Sequence, residues 1–194
     1  MGLTRAELES FRDATVPDLV GPGLRLLFVG INPGLWTAAT STHFAHPGNR
    51  FYPALLRGGV IERPIDRGAG MTDDDRRSLL GRGIGITNLV ARATPKAAEL
   101  TAAELRAGGA RLHRFVAEHR PLVVAVAGVT AYRDAFEDRT AKLGRQQARF
   151  GVQGEYEAEL WIVPNPSGLN AHETIDSLAA AYRAPAIAAG IIHP

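Results

Sequence analysis

The sequence contains no cysteine and no long hydrophobic run, and each absence excludes a class of protein. Without cysteine there is no disulfide, cysteine nucleophile, thiolate zinc site or cysteine-ligated iron–sulfur cluster. No apolar stretch approaches the ~20 residues of a membrane-spanning helix, and the first residues lack the basic start and apolar core of a signal peptide. We therefore expect no membrane partner and a cytoplasmic location.

The chain also lacks a large excess of charge of either sign. The 194 residues contain 22 basic and 20 acidic side chains, a net charge of +2. The basic residues are unevenly spread: residues 141–150 carry three and no acid, and Arg50, Arg57 and Arg63 follow one another closely. These clusters are either a local basic face or ordinary solvated charge.

The length predicts one domain, residues 1–194. Apolar runs alternate with amphipathic segments, which predicts an α/β fold: a three-layer α/β/α sandwich around a central, mainly parallel sheet of four to five strands. Strands are predicted at 24–30, 83–90, 122–127 and 159–163, helices at 4–16, 49–57, 73–80, 101–119, 131–136 and 173–182, and a long loop at 35–48. Thr4, Thr72 and Thr101 are predicted helix caps.

Two of the predicted strands end abruptly in similar turns. One strand is followed by GINPG at 30–34 and the other by NPSGLN at 165–170. Proline removes a backbone donor and glycine permits positive φ, so neither strand continues. Loops at the carboxyl ends of strands form the active sites of open α/β sheets. The asparagines in both turns favour a site for a neutral, amide-like ligand.

Five short motifs resemble one known family, in order and at similar spacing. They are GINPGL at 30–35, FAHPGNRF at 44–51, GITNLV at 85–90, LRAGG at 105–109 and NPSGL at 165–169. Together they resemble the mismatch-specific uracil/thymine DNA glycosylases, a branch of the uracil-DNA glycosylase superfamily, over a core of about 24–183. The lack of cysteine agrees with this branch, because other branches carry an iron–sulfur cluster.

The resemblance implies a monofunctional DNA glycosylase of base excision repair. Such an enzyme flips uracil out of mismatched duplex DNA, especially opposite guanine, and hydrolyses the N-glycosidic bond with water. Thymine and ethenocytosine are further candidate substrates. The resemblance also implies a monomer that needs no cofactor and no metal. Its partner would be double-stranded DNA containing uracil or a mismatch. A nucleoid-associated cytoplasmic protein of a prokaryote is the matching location.

The same resemblance assigns roles within the pocket. Asn32 would place the attacking water, since an amide positions a water but is not a strong base. Ser167 would contact that water or a phosphate. Phe44 would stack on the flipped base, the Ile31 backbone would contact it, and Asn88 would bind its edge or the DNA backbone.

Further residues are assigned to selectivity and to DNA. Thr37 would stand at the gate of the pocket and crowd the 5-methyl group of thymine. Leu169 would enter the gap left by the flipped nucleotide, with Gly168 and Asn170 facing the unpaired base. Arg50 would also contact DNA. Asn170 stands where relatives often have serine followed by arginine, which weakens the expectation of strict guanine recognition.

Several alternatives remain open from the sequence. Asn32 is also a typical turn residue, Phe44 and Leu169 are also typical core residues, and Asn88 is an ordinary strand-end residue. His43 and His46 form an H-x-x-H pair, which is weak evidence for a metal. A catalytically weak damaged-DNA-binding protein is the alternative function. A nucleotide-binding α/β protein is less favoured because G-x-G-x-x-G and a Walker lysine are missing.

Overall fold

A five-stranded sheet runs through the middle of the protein. The computed structural model describes residues 3–152 and 155–194, so four residues of the predicted domain lie outside the described part. The strands are β1 Leu26–Gly30, β2 Ile84–Asn88, β3 Val123–Ala127, β4 Gly144–Val152 and β5 Tyr156–Val163. Their order across the sheet is β2-β1-β3-β5-β4. Every pairing is parallel except that of β4 with β5, which is antiparallel.

Helices cover both faces of this sheet. In the described residues they are α1 Arg5–Glu9, α2 Leu35–Thr40, α3 Phe51–Arg57, α4 Asp73–Gly81, α5 Ala102–His119, α6 Val129–Phe136 and α7 Ile175–Ala188, with a 3₁₀ turn at Ala97–Glu99. Side chains alternate along β1, so Leu26 and Phe28 join one core cluster and Leu27 and Val29 join the other. Residues of α3, α4 and α7 complete the first cluster, and residues of α5 and α6 complete the second. The predicted α/β/α sandwich is confirmed.

Two elements of the structure were not predicted from the sequence. The predicted loop at 35–48 begins with the helix α2, Leu35–Thr40. Six residues make less than two turns, too few for a helical period to be visible. The strand β4, Gly144–Val152, was not predicted because its sequence is polar rather than alternating. It lies at the edge of the sheet, where Arg145 and Arg149 are exposed and the register with β5 shifts between them.

The helix caps were predicted more accurately than the helix ends. Thr4, Thr72 and Thr101 each accept a hydrogen bond from the backbone three residues on, and each forms a full capping box. The first helix nevertheless stops at Glu9, short of the predicted residue 16. A cap therefore signals where a helix begins but carries no information about its length.

The sheet order brings the two predicted turns together with the end of β2. In the parallel register Gly30 lies beside Asn88, so the turns after β1 and β2 leave the same edge of the sheet. β3 and β5 follow on the other side of β1, which adds the turn after β5 to that edge. In the described part of the chain no helix is both long and apolar enough to cross a membrane.

Candidate active site

A cavity of about 590 Å³ opens at the carboxyl edge of the sheet. Its size suits a ligand such as a nucleoside. Eight predicted site residues line it: Ile31, Asn32, Thr37, Phe44, Asn88, Ser167, Gly168 and Leu169. The lining does not include Arg50 or Asn170. The turns after β1 and β5 thus converge on one site, as their positions at strand ends predicted, and the end of β2 joins them there.

The cavity has an uncharged wall. Among the described residues that line it, none carries a carboxylate, an ammonium or a guanidinium group. The polar side-chain groups are amides, hydroxyls, the imidazole of His46 and the indole of Trp36. Because a charged ligand would need a compensating charge in such an enclosed place, the wall favours a neutral ligand. It also offers no carboxylate to act as a general base.

Asn32 is held in one orientation by its amide nitrogen. Nδ2 donates to Thr94 Oγ1 at 2.7 Å, and to the carbonyl oxygens of Arg92 and Pro33, each at 3.1 Å. The Thr94 hydroxyl donates in turn to the Lys96 carbonyl at 2.9 Å, so its lone pair faces Asn32. The amide oxygen Oδ1 is therefore the end left to accept a hydrogen bond from a ligand or a water in the cavity.

Thr94 is a site residue that the sequence did not reveal. It is buried, lines the cavity and lies 62 positions from Asn32 in the chain. A second bond joins the same two segments, since the Thr94 backbone N–H donates to the Pro33 carbonyl at 3.1 Å. No motif or spacing in the sequence connects a turn after β1 to a lone threonine after β2.

Phe44 presents an aromatic face to the cavity from an unusual backbone conformation. Its φ is +56°, in the left-handed region that non-glycine residues seldom adopt. The ring stacks on Phe51, with centroids 4.1 Å apart and planes 26° apart. Such a backbone costs on the order of 1–3 kcal/mol and is typically found at functional sites. Phe51 thus supports one face of the ring, and Phe44 remains half-buried at the wall of the cavity.

Asn88 lies on the floor of the cavity at the end of β2. Its backbone carbonyl accepts from Arg111 Nη1 at 2.9 Å, and its Nδ2 lies 3.2 Å from Nδ1 of His43. Its Oδ1 lies over Gly30, so close that a Cβ at position 30 would overlap it. Glycine at position 30 is therefore required for the Asn88 amide to occupy this place.

The loop after β5 is closed by its own hydrogen bonds. Asn165 Oδ1 accepts from the Ser167 backbone at 3.0 Å, and Ser167 Oγ accepts from the Leu169 backbone at 3.3 Å. Asn170 uses both ends of its amide, donating to the Asn165 carbonyl and accepting from the backbone of His172. Leu169 is 88% exposed at the tip of this loop, which excludes its alternative interpretation as a core residue.

Arg50, the N-cap residue of α3, braces this loop. Its guanidinium donates to the carbonyl oxygens of Ser167 at 2.6 Å and Asn170 at 2.7 Å, and also to that of Glu173. A backbone bond from Arg50 to the Pro166 carbonyl adds to the contact. Arg50 was predicted to contact DNA, but the structure turns both of its Nη groups toward the loop. Three backbone carbonyls of this segment thus bind the Arg50 guanidinium within the protein.

The loop also touches the segment before α3 directly. A Cβ on Gly168 would lie 2.6 Å from the carbonyl oxygen of Gly48, so only glycine permits this approach. Together with Arg50, this contact fixes the position of Leu169 relative to the cavity.

Thr37 is buried in the wall of the cavity on α2. Its hydroxyl oxygen accepts from the Ala45 backbone N–H at 3.4 Å. That bond joins α2 to Ala45, the residue that directly follows the strained Phe44. The position agrees with the predicted gate, while the effect of the threonine on thymine remains a prediction.

The histidine pair is not arranged as a metal site. His43 is buried with both ring nitrogens near other groups, and Nδ1 of His46 accepts from the Gly48 backbone at 3.0 Å. In the part of the chain that the structure describes, no three His, Asp or Glu side chains are grouped to hold a metal ion.

Fold and site together define an α/β protein with an uncharged cavity beside an exposed loop. A family model described as the uracil DNA glycosylase superfamily matches residues 17–185. The match covers most of the chain and every motif residue of the cavity, and the chain belongs to this superfamily. It is therefore a DNA glycosylase, a hydrolase that acts on DNA.

Proposed function

We propose that this protein is a mismatch-specific glycosylase that releases uracil from duplex DNA, especially opposite guanine. The observation that carries the proposal is the orientation of Asn32. Its amide nitrogen is bound by three acceptors, which leaves Oδ1 to accept from a water in an uncharged cavity. Such an amide contributes by positioning the water and not by abstracting its proton.

The reaction follows from these groups. With uracil flipped into the cavity, Phe44 stacks on the base and Asn88 binds its edge. The C1′–N1 bond breaks as its electron pair goes to N1 of the uracil, and the water oxygen that Asn32 holds bonds to C1′. The proton of that water passes to solvent or to the departing uracil anion, because an amide does not take it up. Asn32 Oδ1 also stabilises the positive charge that develops on the sugar.

The preference for a mismatch rests on the exposed loop and on the ordered motifs. Leu169 extends from a loop held at both ends, so it is suited to fill the gap that a flipped nucleotide leaves. Unpairing costs least at a mismatch, which favours uracil opposite guanine over uracil opposite adenine. Thymine and ethenocytosine opposite guanine are secondary substrates in this proposal.

The test is base release under single-turnover conditions with excess protein and a chelator. Labelled duplexes carry uracil opposite guanine, uracil opposite adenine, thymine opposite guanine or ethenocytosine opposite guanine. We expect the fastest release from the guanine–uracil duplex. Tight binding of that duplex without release would favour the damaged-DNA-binding alternative, and equal rates for uracil opposite guanine and adenine would refute the mismatch preference.

A further inference from the structure

His43 is a buried titratable group that the reaction above does not use. It lies between α2 and α3 with only 2% of its surface exposed. Its Nε2 is 3.1 Å from the carbonyl oxygen of Pro17, and its Nδ1 is 3.2 Å from Nδ2 of Asn88. The ring thus stands between a backbone carbonyl and a side chain on the floor of the cavity.

The Pro17 carbonyl decides which nitrogen of His43 carries the proton. A carbonyl oxygen only accepts, so Nε2 must be the protonated nitrogen. Burial lowers the pKa of His43, which keeps the ring neutral and leaves Nδ1 with a lone pair. A lone pair at Nδ1 requires a donor opposite it, so the Asn88 amide must present its NH₂ group to His43.

The position of the Pro17 carbonyl is itself fixed. Asp18 accepts from Arg111 Nη2 at 2.6 Å and from the Thr87 hydroxyl at 2.5 Å. Leu19 exchanges two backbone bonds with Ile86 of β2, at 2.8 and 2.9 Å. The segment that carries Pro17 is therefore bound to the same strand that ends in Asn88, and the carbonyl has little freedom to turn away from His43.

With its nitrogen facing His43, Asn88 turns its oxygen toward the cavity. Oδ1 lies over Gly30, and an atom placed as a Cβ on Gly30 would also lie 3.3 Å from Cζ of Phe44. The oxygen and the edge of the aromatic ring thus border the same small space. A base stacked on Phe44 would meet a hydrogen-bond acceptor at that point.

We propose that His43 is a specificity-determining residue that holds the Asn88 amide so that its oxygen faces the base, which selects uracil against cytosine. Uracil carries a proton on N3 and satisfies the acceptor, whereas N3 of cytosine has a lone pair and is repelled. This inference rests on the proposed function. His43 acts through Asn88 and is a positioning residue, not a catalytic one.

The experiment compares release of 5-fluorouracil and 5-fluorocytosine opposite guanine, because fluorine makes both bases better leaving groups and slow release measurable. A pocket that hydrogen-bonds one base rejects the mismatched one by roughly 10⁴-fold. His43→Leu removes the acceptor at Nδ1 and should lower the ratio of the two rates by about 10-fold, the worth of one neutral hydrogen bond. His43→Gln, whose amide can serve both Pro17 and Asn88, should stay within about 3-fold of the wild-type ratio.

A double variant separates orientation from packing. In an Asn88→Ala background, His43→Leu should change the ratio no further, because the residue through which it acts is gone. His113→Leu changes an exposed histidine on α5 that packs beside Phe136 and Phe150, away from the cavity; it is the control and should leave the ratio unchanged. An unchanged ratio in His43→Leu, or an equal fall with and without Asn88, would overturn the proposal.

One measurement needs no variant. Long-range ¹H–¹⁵N spectra of the wild-type protein labelled in histidine should show His43 protonated at Nε2 and not at Nδ1. The other tautomer, or a charged ring near neutral pH, would overturn the assignment even if a substitution at position 43 prevented folding. A wild-type protein that releases no uracil would instead refute the proposed function, and the wild-type reaction alone reveals that result.

Discussion

Three uncharged side chains in the cavity owe their orientation to the groups behind them. Asn32 is set by Thr94, Asn88 by His43, and Phe44 by its stacking on Phe51. Each supporting residue is buried, so its own position is restrained by packing. The amides of Asn32 and Asn88 consequently offer the cavity a defined acceptor without any charged residue in its wall.

Asn32→Ala should lower single-turnover uracil release by ~10²–10³-fold and change duplex affinity little, because the lost group positions a water. Thr94→Val, which removes one of the acceptors that hold Asn32, should cost about 10-fold, and Thr94→Ser should stay near the wild-type rate. Rates and affinities are measured separately, by quenched reactions and by titration of a labelled duplex. Near-normal release by Asn32→Ala would make Asn32 a structural turn residue.

Thr37 tests the origin of selectivity against thymine. One extra methyl group is rejected by ~1–3 kcal/mol, so uracil opposite guanine should be released ~10–200-fold faster than thymine. Thr37→Ala should narrow that gap without faster uracil release. Thr37→Ser is the matched control, because it keeps the hydroxyl that accepts from Ala45 and removes only the methyl group. It should also reduce the ratio of the uracil rate to the thymine rate. An unchanged ratio in both variants would contradict the gate.

Larger pieces of the fold cooperate at the exposed loop. The loop after β5 contributes Leu169, while α3 contributes the brace and the segment before α3 contributes the close contact at Gly48. α3 also packs against α7, which follows the loop and closes the same core cluster. The loop is thus supported by its neighbours on both sides, and its tip can remain exposed without being free to swing.

Arg50→Gln should slow uracil release from duplex DNA more than from single-stranded DNA, since a gap exists only in the duplex. Arg57→Gln on the same helix is the control: it removes only an exposed ion pair with Asp176, which is worth ~0–1 kcal/mol. The salt dependence of DNA binding shows whether Arg50 supports the loop or contacts a DNA phosphate. A phosphate contact contributes about 0.9 to the slope of log affinity against log salt, and we expect Arg50→Gln to leave that slope unchanged. A smaller slope for Arg50→Gln than for the wild type would show that Arg50 contacts a DNA phosphate.

Across the molecule, Arg92 joins parts of the chain that are far apart in sequence. Its guanidinium binds Glu104 at 2.5 and 3.2 Å and Asp13 at 3.0 Å, and its carbonyl accepts from Asn32. The N-terminal segment, the start of α5 and the active-site turn therefore meet at one residue. We therefore expect the stability of the protein to depend on the charge of Glu104.

Glu104 supplies a prediction about acid stability. Bonds from Arg92, followed by those from the capping residue Thr101, lower the pKa of Glu104 from its ordinary 4.5 to about 2. A carboxylate with a lowered pKa stabilises the fold above its unfolded pKa, and that stabilisation is lost as pH falls from about 4.5 toward 2. Glu104→Gln should therefore lower the melting temperature at pH 7 and flatten its decline in acid.

The measurement is a series of thermal melts between pH 7 and pH 2, at low and high salt. Because the Arg92–Glu104 ion pair is partly open to solvent, with about a third of each side chain exposed, added salt should shrink the difference between the variant and the wild type. If the difference in melting temperature between the two proteins were the same at every pH, the ion pair would make no pH-dependent contribution to stability.

Much of this protein follows from neighbouring residues along the chain. Buried strands appear as short apolar runs, helix starts appear as capping boxes, and Pro-Gly turns mark strand ends, because each depends on local backbone preferences. Parallel strands then place Asn32, Asn88 and the loop at 165–170 at one edge of the sheet. These features made the fold and most of the cavity predictable.

The remaining features depend on contacts between distant segments. The bond between Asn32 and Thr94 spans 62 positions, that between Asn88 and His43 spans 45, and those from Arg50 to the exposed loop span 117 and 120. A hydrogen bond of this kind requires two side chains, or a side chain and a carbonyl, to meet within about 3 Å. Only the packing of helices on the sheet sets such distances, so the orientation of both amides and the inward turn of Arg50 had no signal in the sequence.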